Sequence, residues 1–267
     1  MTCFSLLPFI QQRVSCLQNR YLLAALAFFV ASSGVKAGDS SGALWRVAQI
    51  CTTNYSLTGL AFPCLEVKLP EDRGRGYAVL RPPYGAPDTI LTPVRKTPGI
   101  EDPWLQSPEA PNYFSEAWKS IPLLASKLGR KPDPAAMGLA VNSAYTRSQD
   151  QMHIHLDCLA ADVRRTLNEL DPKITETAWT RLPGPLRGLS YLARRVSARD
   201  FERTNVFALV ASGVPDARTD MAHITMVVTA SSSARSPGYL VLAAKAGAYQ
   251  RGVRPTGEDL LDHACRG

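Results

Sequence analysis

Apolar and polar positions alternate along some stretches of this chain and repeat at helical spacing along others. Leu44, Val47 and Ile50 recur as on one helix face, with Ser40 or Ser41 placed to cap the start and Cys51 at the end. Leu65 to Leu69 and Tyr77 to Leu80 predict short strands about the turn-forming Arg73-Gly74-Arg75-Gly76, and Arg81-Pro82-Pro83 stops the second. Thr89 to Val94 predicts a third. Pro111 opens a helix whose apolar stripe is Tyr113, Phe114, Ala117, Trp118, Ile121, Leu124 and Leu128, and Pro122 inside it should kink or split it. Gly138 to Val141 predicts a strand, followed by a polar loop from Asn142 to Asp150.

The clearest alternation is Gln151 to Cys158. On a strand, Met152, Ile154 and Leu156 point to one side, into a core. Gln151, His153, His155 and Asp157 share the opposite, polar side. Further on, Asp162 to Leu170 predicts a helix and Tyr191 to Val196 an extended segment. Ser197 with Asp200 predicts a capping box for a helix running to Ala211. Ile224 to Thr229 and Tyr239 to Ala244 predict a strand pair, and Thr256 with Asp259 the cap of a last helix ending near Cys265. With no repeat and no linker, the pattern predicts one α+β domain with an antiparallel sheet flanked by helices.

Composition adds a partner and a compartment. The 267 residues include 20 prolines and 18 glycines spread along the chain, which excludes collagenous and disordered classes. A net charge of +7 points to an anionic partner: phosphate groups, an anionic membrane surface or nucleic acid. Arg13 and Arg20 precede an apolar run from Tyr21 to about Ala31 and the small-residue site Val35-Lys36-Ala37. That order predicts an export signal or membrane anchor over residues 1–37, with the domain over 38–267. Beyond Cys3 and Cys16, the exported part holds Cys51, Cys64, Cys158 and Cys265. In an oxidising compartment these read as two disulfides, with three possible connectivities. The local pair Cys51–Cys64 would close a small loop. The remaining pair, Cys158–Cys265, would pin the C-terminus to the histidine segment.

Two of the four histidines fall in one row, at His153 and His155. One imidazole could attack phosphorus while the other handles charge or protons. The pair could instead chelate zinc, with His223, His263 or Asp157 as a third ligand. Both rings could also be structural. Upstream, Asn142, Ser143, Arg147, Ser148 and Gln149 offer the donors that an anionic phosphoryl transition state requires, and Arg147 suits a bidentate grip on phosphate. Arg187, in the turn Leu186-Arg187-Gly188, is a further anion contact. Arg194 and Arg195 face opposite sides of a strand, so at most one can meet a given ligand.

Leu139-Ala140-Val141-Asn142-Ser143, Arg147-Ser148-Gln149, His153-Ile154-His155 and Cys158 together resemble the core of bacterial CDP-diacylglycerol pyrophosphatases. Leu186-Arg187-Gly188, Tyr191 to Val196, Pro111-Asn112-Tyr113-Phe114, Ala117-Trp118 and the four exported cysteines match the same family. The similarity covers nearly all of the chain after the signal. The resemblance implies a histidine-triad (HIT-like) fold and hydrolysis of CDP-diacylglycerol to phosphatidate and CMP through a nucleotidyl-histidine. It implies no metal or other cofactor, and a membrane surface rather than nucleic acid as partner. It also implies a place at the inner membrane with the catalytic domain on the periplasmic side, or in the periplasm if the signal is cut.

In the triad pattern His153 takes the nucleophile's place, His155 the third and Gln151 the first, where the pattern has histidine. Asn142 and Ser148 fall where the wider superfamily contacts ribose or phosphate. Glutamine cannot carry a proton. The alternative that this departure favours is a degenerate triad protein that binds nucleotides or phospholipid head groups without turnover.

Overall fold

The computed structural model describes residues 40–81, 89–247 and 254–265. The signal or anchor expected over residues 1–37, with Cys3 and Cys16, lies outside them. Among the described residues no helix is long and apolar enough to cross a membrane.

The elements in chain order are α1 (Ala43–Thr58), β1 (Glu66–Lys68), β2 (Tyr77–Leu80), β3 (Thr89–Pro93), α2 (Tyr113–Lys119), α3 (Ala125–Leu128), β4 (Met137–Val141) and β5 (Ile154–Leu159). There follow α4 (Ala161–Leu170), β6 (Thr180–Arg181), β7 (Leu192–Ser197), α5 (Val206–Gly213), α6 (Pro215–Thr219), β8 (Ile224–Ala230), β9 (Gly238–Lys245) and β10 (Leu261–Asp262). The strands form one antiparallel sheet in the order β1-β2-β3-β5-β4-β8-β9-β7-β6. β10 pairs with β5 through Leu261–Leu159 and Asp262–Cys158, beyond the stretch of β5 that β3 covers. The expected α+β class with an antiparallel sheet is what the chain adopts.

Opposed residues on neighbouring strands share a face. On one face the row Val79, Leu91, Ile154 belongs to the largest core, with Leu139, Val228 and Val241, against Phe114 of α2 and Phe207 of α5. On the other face the row runs Leu80, Ile90, His155, Ala140, Val227, Leu242, Ala193. Leu80 and Ile90 pack under α1, with Leu44 and Cys51. Ala140, Val227, Leu242 and Ala193 pack under α4, with Val163 and Leu167. His155 stands where these two apolar clusters part. It is the single polar residue of the row between Leu80 and Ala193.

Several predicted boundaries move. α1 continues past Cys51 to Thr58, because Thr52, Ser56 and Thr58 return their hydroxyls to the carbonyls of Ala48, Thr52 and Asn54, and Gly59 closes the helix in the left-handed region. Its start is Gly42, without a side-chain cap, in place of Ser40 or Ser41. Pro122 splits its helix as expected, into α2 and α3 joined by the single 3-10 turn Ile121–Leu124. Asn112 caps α2 by accepting from Ser115 N (3.1 Å).

The Ser197–Asp200 pair forms (2.6 Å) but leads only into the turn Phe201–Arg203. The following helix starts at Val206 under its own cap, Asn205. Thr256 and Asp259 also cap each other, yet the segment gives one 3-10 turn, Glu258–Leu260, and then β10. Leu261 finds a strand partner there, and pairing with β5 outcompetes a short exposed helix. Arg195, expected either to meet a ligand or to lie on the surface, is buried. It pairs with Asp171 (2.5 Å) and bonds the carbonyls of Ile174 and Ser236, so it ties loops together.

Both disulfides form with the expected connectivity, Cys51–Cys64 and Cys158–Cys265. Their sequence separations are 13 and 107 residues. Chain entropy makes the longer closure the more stabilising, about 4–5 kcal/mol against about 3 kcal/mol. The double variant Cys158→Ser/Cys265→Ser should therefore lose more unfolding free energy in urea than Cys51→Ser/Cys64→Ser. Equal losses would show that the long loop is already restrained in the unfolded chain.

Candidate active site

The histidine segment keeps its alternation but not its openness. The strand begins at Ile154, so Gln151, Met152 and His153 lead into it and are not part of it. Met152, Ile154 and Leu156 enter the large core as expected. The other side is covered as well: His153 is 6% exposed, His155 7%, and Gln151 and Asp157 0%. The row is a lined recess rather than a wet face, because the C-terminal segment lies over His155 and Asp157 and residues 92–97 lie over Gln151.

Gly257 is the contact point of that cover. Its N–H donates to Thr225 Oγ1 (2.8 Å), and a Cβ there would sit 2.4 Å from the same oxygen, so only glycine lets the backbone approach this closely. The approach delivers Glu258. Its Oε2 lies 3.2 Å from His155 Nε2 and accepts from Asn142 Nδ2 at 2.7 Å. Asn142 also accepts from the Glu258 backbone N–H (3.3 Å), so one amide orients this carboxylate from two directions. Beyond β10, His263 places Nε2 3.4 Å from Glu258 Oε1 and Nδ1 3.1 Å from Asp157 Oδ2. Asp157 further accepts from the Cys158 N–H (3.0 Å). Cys265 then closes the segment onto Cys158. Two carboxylates and two imidazoles thus alternate: Asp157, His263, Glu258, His155.

His153 stands edge-on to His155, with ring centroids 4.8 Å apart. Its Nδ1 lies 2.7 Å from the backbone carbonyl of Gln151. A carbonyl only accepts, so Nδ1 carries the hydrogen and the lone pair is at Nε2. Nothing among the described residues bonds Nε2. Burial, and secondarily the neighbouring His155, push the His153 pKa down to about 4; the bond to Gln151 and the Glu258 charge act the other way without reversing it. The ring is therefore neutral, with a fixed tautomer, across the physiological range.

Gln151 does its work elsewhere. Its side chain accepts from Thr97 N (3.1 Å) and donates to Thr92 Oγ1 (3.2 Å) and the carbonyls of Pro93 and Arg95 (3.0 Å each). These bonds hold the end of β3 and the chain just after it, residues 92–97. Its backbone, not its amide, touches His153.

The upstream donors are spread out. Ser143 is buried and paired with Thr146 (3.0 Å) at the start of the loop. Arg147 binds Glu101 (2.7 Å) and Asp150 (2.9 Å), and its charge still reaches His153. Ser148 is exposed, and Gln149 caps the start of α1 by accepting from Leu44 N (2.9 Å). Arg187, with φ 46° at its turn, pairs with Asp162 of α4 (2.7 Å). Of the residues singled out from sequence, His153, His155 and Asn142 converge with Asp157.

Glu258 and His263 join them from a segment about a hundred residues away. His263 was among the candidate third ligands read from sequence; no local motif marks Glu258, and the one signal for it was the expected Cys158–Cys265 pairing, which brings that segment to the histidines. His223 stays apart, bonded to Asp220 (2.5 Å) and stacked on Tyr145. Among the described residues, Asp157, Cys158 and Cys265 form a group of metal-ligand type, but both sulfurs are committed to the disulfide and offer no thiolate.

The sequence pattern of the family described as CDP-diacylglycerol pyrophosphatase matches residues 39–267. The chain is also 34% identical over 252 residues to the CDP-diacylglycerol pyrophosphatase of Yersinia pestis, which is 93% of this chain and 94% of that relative. The matched span takes in the whole sheet, both disulfides and the recess that holds the paired histidines, and on that extent the chain belongs to the CDP-diacylglycerol pyrophosphatase family, a family of hydrolases.

Proposed function

We propose that this chain hydrolyses the pyrophosphate bond of CDP-diacylglycerol, giving phosphatidate and CMP through a covalent cytidylyl-His153 intermediate on a histidine-triad fold. One observation carries the reading. His153 is a neutral ring whose Nδ1 is tied to a carbonyl and whose Nε2 lone pair meets no hydrogen-bond partner among the described residues. A nucleophile that needs neither deprotonation nor a metal is what in-line attack on phosphorus requires.

In the first step the Nε2 lone pair bonds the phosphorus nearest the cytidine. The bond to the bridging oxygen breaks, and phosphatidate leaves with that oxygen. His155 Nε2, 3.2 Å from Glu258 Oε2 in the free protein, turns to a phosphoryl oxygen as the charge on that oxygen rises. Its departure leaves the Glu258 carboxylate beside the recess as a base. In the second step a water oxygen attacks the same phosphorus, its proton passes to Glu258, the phosphorus–nitrogen bond breaks, and CMP is freed. Arg147, whose charge reaches His153, would exchange Glu101 for phosphate, while Ser143, Ser148 and Arg187 lie apart from the histidines in the free protein. The N-terminal segment directs this domain to the periplasmic face of the inner membrane, where its substrate lies.

The binding-only alternative rested on Gln151. Its side chain is spent on the 92–97 segment and its carbonyl orients His153, so the position asks for a backbone acceptor rather than a titrating ring. That weakens the alternative.

Three outcomes test the proposal. His153→Ala should lower CMP release from CDP-diacylglycerol at least about 10³-fold; near wild-type release removes the nucleophile assignment. Glu258→Gln still accepts from His155 but cannot take a proton, so turnover should fall roughly 10²–10⁴-fold. With that variant, rapid mixing should show about one equivalent of phosphatidate per enzyme, with CMP lagging. Simultaneous release would exclude a separate hydrolytic step. Finally, because His153 becomes charged only as pH falls through about 4, the acid limb of kcat/KM that reports this ring should lie near pH 4 rather than near pH 6.5.

A further inference from the structure

Most surface apolar side chains are scattered, but here they are not. Among the described residues the large hydrophobics that stand exposed are Ile50, Leu57, Leu60, Phe62, Leu65 and Tyr145. All but Tyr145 fall between residues 50 and 65, on the outer side and C-terminal end of α1 and the loop that follows. Phe62 is 76% exposed and Leu57 79%. A concentration of this kind marks a contact surface.

The display is built, not incidental. The inner side of α1 packs Leu44, Ala48 and Cys51 on the sheet. Its solvent side carries Arg46, Ile50 and Leu57 at helical spacing. The loop beyond is fastened to the helix by the Cys51–Cys64 disulfide, and Asn54 Nδ2 donates to the carbonyls of Leu60 (3.2 Å) and Phe62 (2.7 Å). The loop is thus held in shape with its side chains outward.

Charge indicates what covers the surface. From Ser41 to Leu65 the only charged residue is Arg46. Arg73 reaches the same end of α1 and donates to Ser56 (3.1 Å), and exposed Lys68 follows on β1. The first acid, Glu66, is half-buried and accepts from Tyr77. Exposed Glu71 and Asp72 precede Arg73, further from the tip in the chain, so the residues from 41 to 65 carry positive charge alone. An apolar tip of this charge suits an interface with anionic head groups outside and acyl chains beneath.

We infer that the disulfide-clasped tip formed by Leu57, Leu60, Phe62 and Leu65 inserts into the anionic lipid bilayer that carries the substrate. The inference rests on the proposed reaction for the identity of that bilayer, because a diacyl substrate stays in its membrane. The tip is the end of α1 and the loop clasped to it, and α1 covers Leu80 and Ile90 on the same sheet face that bears His155, so one helix joins the tip to that face.

The test uses the full chain and vesicles of phosphatidylglycerol and phosphatidylcholine with brominated acyl chains. The variant Phe62→Trp should show a component of emission, beyond that of the wild-type tryptophans, that brominated lipid quenches and unbrominated lipid does not. In parallel, Leu57→Ser/Phe62→Ser should need roughly 10- to 100-fold more vesicle lipid for half-maximal CMP release, with unchanged turnover of a short-chain, water-soluble CDP-diacylglycerol. Absence of the extra quenching overturns the inference, whether the tip is covered by the chain's own apolar run at residues 21–31 or by a second copy, the latter visible as a fall in mass on Leu57→Ser/Phe62→Ser substitution. An unchanged lipid requirement also overturns it. If the wild type turns over neither substrate, the proposed reaction fails, while the quenching still reports insertion.

Discussion

One imidazole, His155, is placed in the middle of a sheet whose flanking positions are apolar, a second, His153, stands at the entry to the same strand, and their burial must be compensated. Ile90 and Ala140, on either side of His155 in its row, offer it no polar partner. The compensation comes from the C-terminal segment. β10 pairs with β5, Cys265 bonds Cys158, and the length between Gly257 and His263 carries two ionisable side chains into the gap. An unpaired carboxylate at Asp157, fully buried, would cost several kcal/mol. His263 and the Cys158 N–H meet it, and the same His263 then meets Glu258. Sheet edge, disulfide and recess therefore form one unit: detaching the segment uncovers the histidines and strands Asp157 together.

How much of this was legible in sequence follows from the range of each interaction. Alternation from Met152 to Leu156 is local, so the sides of that segment could be assigned correctly, and the rows of the sheet bear this out through Ile154 and His155. Strand pairs with short connections, such as β8 and β9, were equally legible. The errors fall where an element's state depends on a distant partner. Residues 258 to 262 carry a genuine cap at Thr256 and Asp259, yet β5 offers Leu261 backbone bonds that a single exposed turn cannot match. Arg195 looked like a surface cation because Asp171, its buried partner, lies in another element. Exposure of the histidines was misjudged for the same reason. Polarity at 151, 153, 155 and 157 shows which residues share a side, but not that another part of the chain covers it.

Gln151 shows why residue identity and residue role separate. A pattern of alternating imidazoles makes its side chain look like a missing catalytic group. In the fold that side chain is a brace for residues 92–97, and the contact with His153 comes from the peptide carbonyl, which any residue would supply. What the position must provide is a fixed acceptor at Nδ1. The tautomer this enforces, and the low pKa that burial gives, are both properties of place rather than of a neighbouring titrating ring.

The same face of the sheet organises the outer surface. α1 shields Leu80 and Ile90 with its inner side, and so covers the part of the row that leads up to His155. The helix cannot shift without disturbing that cover, since Cys51 anchors both the sheet contact and the clasp to Cys64. A single cysteine thus couples the packing beneath the helix to the shape of the apolar tip beyond it. On the proposed reaction and the inferred bilayer contact, such coupling would suit a substrate divided between two media: the nucleotide would have to reach the histidines while the acyl chains stay in hydrocarbon. One rigid helix between them would keep those two requirements in register.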